Sequence, residues 1–290
     1  MTHILKLTDL YAVAGISKQA MYKYRNAEHA HHKQEKLVQA AMEKMRQDHK
    51  KMSSRKVYAK QKEAFKIEVG RDKFERIAFA QGYRVKRKRQ VHKTTWGQRV
   101  EVYPDLVSGT TIDNIDQVYQ SDIFYLKVAD KDYYGVTIID IYSKRLVSLH
   151  LSQTLRAIEN ITALKKVLKS KTKAALNGCI FHSDRGTQYI SKAQKELLKS
   201  LGMKISMCRM PQQNAYAERV QGSLKYEYFF EFLLTEKNIT RMASKILRIY
   251  NDERPHQSLH NKTPKQFELM IEQMKEAERP KLKIFEWVPK

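Results

Sequence analysis

Apolar positions in the first ninety residues recur at three- and four-residue intervals, the spacing of helices that bury one face. Residues 7–25 start with Leu7, Leu10 and Val13, pass Gly15, and resume at Ile16, Ala20 and Met21. Thr8 is placed to cap a short helix that ends at Gly15, because glycine accepts the left-handed conformation of a tight turn. Ser17 is then a cap for a second helix. The pair reads as a helix-turn-helix with Lys18, Gln19 and Lys23 on the second helix, or as a plain helical hairpin. Leu37, Ala40, Ala41 and Met45 give a helix within residues 35–52. Ser53 or Ser54 caps another that carries Val57, Tyr58 and Phe65. A third runs over residues 72–80 and closes at Gly82.

Near residue 119 the period changes. Residues 122–128, 133–142 and 146–151 are rich in β-branched and aromatic residues with short gaps between them, which predicts an antiparallel meander. A helix over 156–169, a strand over 179–182, a helix over 192–201, a strand over 203–206 and a long helix over 214–232 follow. Strands first paired, then alternating with helices, predict an α/β fold with a mixed sheet. The organisation expected is a small helix-turn-helix at 1–30, a helical DNA-binding domain with a basic arm at 31–95, a connector at 96–115, a catalytic core at 116–268 and a C-terminal tail at 269–290.

Charge adds a partner to this picture. Lys and Arg number 55 against 31 Asp and Glu, for a net charge of +24. Two thirds of the excess lies in residues 1–100. An excess so concentrated points to a polyanion, most simply nucleic acid, with a solubility charge as the alternative. Lys73 and Arg76 on the helix over 72–80, and the run Arg84, Lys86, Arg87, Lys88 and Arg89, are placed to neutralise phosphates; a solvated linker is the other reading of the run. No run of about 18 apolar residues offers a membrane span, and the start lacks a signal-peptide pattern. Cys179 and Cys208 are too few for a disulfide framework or a four-cysteine zinc site, which fits a reducing cytoplasmic setting.

Three acids sit where chemistry is expected. Asp122 lies on the first strand, Asp184 directly follows the fourth, and Glu218 lies on the long helix. Each alone can be an ordinary surface charge. If the first and fourth strands pair and the helix lies above them, the three carboxylates converge on a site suited to hard cations such as Mg²⁺ or Mn²⁺. Two such ions can activate an attacking oxygen and stabilise a leaving one in phosphoryl transfer. Glu218, Gln221, Gly222 and Lys225 share one helix face, where Gly222 permits a close backbone approach and Lys225 can hold a phosphate. His182 can order the site, contact DNA or simply pack. Asp140, Arg254 and His256 read as structural.

These residues carry a resemblance. The strings at 116–123, His182-Ser183-Asp184-Arg185-Gly186-Thr187-Gln188-Tyr189, 206–209, Asn214-Ala215-Tyr216-Ala217-Glu218, 222–225 and 250–256, with Leu259 and Thr263-Pro264, resemble in order and spacing the ribonuclease H-like core of DDE transposases and retroviral-type integrases. They resemble more closely the OrfB transposases of the bacterial IS-three insertion-sequence family. The resemblance covers residues 116–268. It implies that Asp122, Asp184 and Glu218 bind Mg²⁺ or Mn²⁺, two ions per site, with His182, Asn214, Gln221 and Gly222 in support. It implies DNA strand cleavage with joining of the freed 3′ hydroxyl, acting on double-stranded DNA at terminal inverted repeats and at the target. It also implies a homo-oligomer, a dimer or larger, and a partner reading-frame protein of the same element, in a bacterial cytoplasm in association with the nucleoid. The chain departs from the family in two places: the 185–217 segment is two residues shorter than usual, and Tyr119 stands where tryptophan is common. Two competing functions share the fold: a metal-dependent nuclease that never joins, and a silent DNA-binding regulator.

Overall fold

The computed structural model describes residues 7–85, 103–208 and 211–285. The chain divides into two compact units, one within residues 1–86 and one made essentially of residues 87–290.

In the helical unit, α1 (Leu7–Val13) is followed by Gly15 at φ 66° and by α2 (Lys18–Arg46). Ser17 caps α2 as expected, its Oγ accepting from Ala20 N at 3.1 Å. Thr8 lies inside α1 rather than before it. α2 runs without a break through the boundary expected at residue 30, because no helix breaker occurs between Lys18 and Arg46. All its buried residues, Gln34, Val38, Ala41, Met42 and Met45, lie in its second half. That half packs with α3 (Ser54–Gln61) and α4 (Arg71–Ala80) around Val57, Phe74 and Ile77. Gly82, at φ 83°, ends the unit's last helix.

The second unit begins with β1 (Thr111–Ile112), then β2 (Val118–Val128), β3 (Lys131–Asp140) and β4 (Leu146–Ser152). Next come α5 (Ala157–Val167), α6 (Lys173–Leu176), β5 (Ile180–Ser183), α7 (Lys192–Ser200) and β6 (Lys204–Met207). The chain ends with α8 (Ala215–Ser223), α9 (Ile239–Asp252), α10 (Pro264–Gln273) and β7 (Leu282–Lys283), which pairs with β1. Five strands form one sheet in the order β4-β3-β2-β5-β6. β3 is antiparallel to both neighbours, and β5 and β6 run parallel to β2. This is the ribonuclease H-like mixed sheet that the resemblance implies, with β2 at its centre.

Alternation along the strands gives each face its own core. Phe124, Leu126 and Leu149 pack with Val220, Leu224, Ile246 and Ile249 of the α8–α9 layer. Tyr119, Ile138 and Phe181 pack with Leu164 and Leu198 of the α5–α7 layer. The single helix expected over 214–232 ends at Ser223 and continues as a π-type turn over Leu224–Phe229. Arg254 fastens this turn: its Nε and Nη2 donate to Glu227 at 2.8 and 2.7 Å, and Nη2 also donates to Ser223 Oγ. Asp140 is structural, as read. It is fully buried and accepts from Asp116 N and Tyr142 N.

Candidate active site

The strand register brings two of the three acids together. Ser121 of β2 stands beside Ser183 of β5 in the parallel pairing. Asp122 and Asp184, the next residue on each strand, therefore leave the same edge of neighbouring strands. Gln120, Asp122 and Phe124 alternate onto one face of β2, the face that α8 covers. Glu218 sits in the first turn of α8.

Electrostatics show that the three carboxylates share one region. Asp122 is half-buried, and its carboxyl is pushed up to about 7 by desolvation and then by the negative charges of Asp184 and Glu218. Its backbone neighbour Ile123 N, donating at 2.8 Å, pulls the other way. Gln221 also faces Asp122 and lowers it, while its own buried Nε2 has no partner at ordinary hydrogen-bond distance. Desolvation raises Asp184 as well, opposed by Gly186 N, which donates to Asp184 Oδ1 at 3.0 Å. Tyr189 secures the loop beneath, with its hydroxyl 3.1 Å from Ser121 Oγ. Among the described residues, no three His, Cys, Asp or Glu side chains stand close enough to make a ready-formed metal cluster. The donor chemistry nevertheless fits a hard dication. The oxygens are all carboxylate, and the like-charge repulsion that adds to the rise at Asp122 is what such a cation relieves.

Of the supporting residues, His182 hydrogen-bonds none of the three acids. It is fully buried, its Nδ1 lies 2.8 Å from Ser206 Oγ on β6, and burial drives its pKa down to about 4. Its register partner is Gln120, so it shares the sheet face of Asp122, with its ring turned to β6. Gly222 has no close approach to explain: a Cβ there would meet nothing within 4 Å in this chain. Asn214 does not cap α8; its Nδ2 donates to Ser121 O at 3.2 Å. Lys225 is half-buried, with Nζ 5.5 Å from the Phe124 ring centroid, and burial lowers its pKa against the pull of Asp122. Tyr119, the residue in the tryptophan position, is buried and donates to Asp116 Oδ1 at 2.6 Å. Its hydroxyl thus replaces indole bulk with an anchored polar tip.

In the helical unit, Lys18, Gln19 and Lys23 are exposed on the first half of α2, and Lys73, Arg76 and Arg84 are exposed on or after α4. Arg84 lies 5.3 Å over the Phe79 ring. Lys86, Arg87, Lys88 and Arg89 lie outside the described residues. Gln120 was not singled out by the sequence reading. It is fully buried and hydrogen-bonded at both ends of its amide. A buried glutamine between apolar strand positions, two residues before a candidate catalytic acid, was the available signal. An open cleft of about 430 Å³, lined by Thr110, Asp116, Cys179 and others, lies at the opposite end of β2 and β5, away from the three acids.

A mixed sheet with acids at the edge of its paired central strands defines a protein of the integrase-core type. Residues 114–212 and 201–264 each match a family model described as an integrase core domain. The chain is 30% identical over 214 residues to the 31 kDa protein of insertion element IS600 from Shigella sonnei, covering 72% of this chain and 78% of that one. It is 27% identical over 195 residues to the transposase for insertion sequence element IS904 from Lactococcus lactis, covering 66% and 75%. Among solved structures it is similar to the catalytic core domain of HTLV-2 integrase in complex with magnesium, at 20% identity and a TM-score of 0.43, over 53% of this chain and 97% of that one. The chain belongs to the insertion-sequence transposases with an integrase core, polynucleotidyl transferase-type enzymes of DNA transposition. No helix among the described residues is long and apolar enough to cross a membrane.

Proposed function

We propose that this chain cuts DNA at the ends of a mobile element and joins the freed 3′ hydroxyl to target DNA, with Asp122, Asp184 and Glu218 as the acidic triad. The observation that carries this reading is the β2–β5 register that sets Asp122 beside Asp184 under the start of α8, where burial first, and then the charges of Asp184 and Glu218, raise the Asp122 carboxyl to about 7. Those three side chains would hold Mg²⁺ or Mn²⁺, two per site. When bound, the cations would supply Lewis-acid activation of an oxygen nucleophile and stabilisation of the leaving oxygen. The chain's own residues do the rest. Ile123 N fixes the Asp122 carboxylate, Gly186 N fixes Asp184, and Lys225 brings a cation beside Asp122 for a phosphate. No protein nucleophile is required.

The exposed Lys18, Gln19 and Lys23, with Lys73, Arg76 and Arg84, are proposed to bind the element ends, and the working form is proposed to be a homo-oligomer on paired ends. Asp184→Asn tests the triad. Mg²⁺-dependent cutting and joining of a labelled end should disappear while DNA binding persists. Undiminished cutting in that variant removes the proposed site. Cutting without joining by the unaltered chain, under all conditions, favours the nuclease reading.

A further inference from the structure

α8 carries Glu218, yet its own sequence does not cap it. The N-cap residue Asn214 makes no side-chain bond to the helix. Its Nδ2 is committed to Ser121 O, and its buried Oδ1 has no partner. An uncapped start leaves amide donors that must find other acceptors when buried. Here the acceptor comes from the sheet. Gln120 Oε1 accepts from Ala217 N, the third helical residue, at 3.3 Å. This is the donor that an N-cap side chain ordinarily satisfies. The other end of the same amide, Nε2, donates to Gln213 O at 3.0 Å, on the approach to the helix. Gln213 is itself held from another side, its Nε2 donating to Asp105 Oδ2 at 2.8 Å.

We infer that Gln120 is a positioning residue that caps α8 from β2 and thereby fixes Glu218 opposite Asp122. The two acids reside on different elements, so their separation depends on what ties those elements together. Gln120 is two residues from Asp122 on the same strand face, and its bond to Ala217 N ends one residue before Glu218. The linkage is therefore short at both ends. It is also chemically selective. One side chain must accept from an N–H and donate to a carbonyl, which glutamine does and which glutamate and methionine do not. Asn214 Nδ2 to Ser121 O is a second tie across the same gap, so β2 holds the helix start at two adjacent residues. The inference rests on the triad reading for its catalytic consequence, though not for the cap itself.

The test uses the full chain in the variants Gln120→Met, Gln120→Glu and Gln120→Asn, with Asp184→Asn beside them. Without metal or DNA, amide hydrogen exchange at Ala217 should accelerate about fivefold in Q120M, the usual effect of losing a cap, while exchange in α9 stays as it was. Q120E keeps the acceptor, so Ala217 should stay within about twofold of the unaltered chain. A packing role alone would not separate these two variants. Q120N, one methylene shorter, cannot span both partners and gives the same acceleration should Q120M fail to fold. In strand cleavage, Q120M should lower turnover by up to about 100-fold with DNA affinity unchanged, the signature of a misplaced group rather than a lost contact. Unchanged Ala217 exchange in Q120M and Q120N, or equal acceleration in Q120E, overturns the inference. Full activity in D184N overturns the triad reading instead. An inactive D184N with normal exchange and cleavage in Q120M leaves the triad standing and removes the cap.

Discussion

Gly135 offers the sharpest test of how the sheet supports the site. It lies opposite Phe124 in the β2–β3 register, and the Phe124 ring covers the space where a side chain would be. A Cβ at Gly135 would stand 2.8 Å from Phe124 Cε2 and closer still to Cε1 and Cζ. The ring cannot retreat freely. It is 1% exposed, with Phe229 at 5.7 Å between centroids and Lys225 Nζ at 5.5 Å. Gly135→Ala therefore overpacks a closed site. Overpacking costs about 1–3 kcal/mol, against which replacing a strand glycine by alanine returns at most about 1 kcal/mol. A net loss of about 1–2 kcal/mol is expected. Urea unfolding of the full chain, read at amides of β2 and β3, should show a lower midpoint at an unchanged slope. Phe124→Leu shortens the ring, so the double variant should be less destabilised than the sum of the singles by about 1 kcal/mol or more. A Gly135→Ala chain within about 0.5 kcal/mol of the unaltered one would refute the claim that the ring is pinned.

Two further outcomes follow from buried charge. Glu227→Ala strands the Arg254 guanidinium, which is 6% exposed, and should cost about 3–5 kcal/mol by chemical denaturation; a loss under about 1 kcal/mol would show that the pair carries no structural weight. His150 sits 2.7 Å from Glu159, but burial outweighs that partner and holds its pKa below the ordinary 6.5. The unfolded chain then binds more protons there, so this residue's contribution to stability falls as the pH drops below 6.5. His150→Gln should flatten that part of the stability profile, and an identical acid slope in both proteins counts against it.

The central place of β2 and its pairing with β5 were legible because each strand has a run of β-branched and aromatic residues bounded by turns, and because Asp122 on β2 and Asp184 just after β5 call for neighbouring strands. α9 and α10 drew no element from the sequence although their signals were present. Ile239, Ala243, Ile246 and Ile249 keep helical spacing, and Thr263 with Gln266 forms a capping box with Pro264 at the first helical position. Charged residues between the isoleucines diluted the pattern. The continuous α2 was split in two because its first half buries nothing, so its apolar residues gave no stripe. His182 was drawn toward the site by its nearness to Asp184 in sequence; it shares that sheet face, but its buried ring is held by Ser206 of β6. Gln120 was missed because a cap that crosses from sheet to helix leaves no local spacing to read.

The wide turn at Leu224–Phe229 changes what the chain tolerates in length. A regular helix rotates about 100° per residue, and a π-type turn absorbs one extra residue without passing that rotation on. Upstream of it Glu218 is phased to the acids; within it, Tyr228 and Phe229 are phased to the core that Val220 and Leu224 also enter. Removing one residue there would give a more regular helix and a worse protein, since Glu227 would swing away from Arg254. The irregularity acts as a gear between two sets of neighbours, and indels on either side of it should be borne very differently from substitutions.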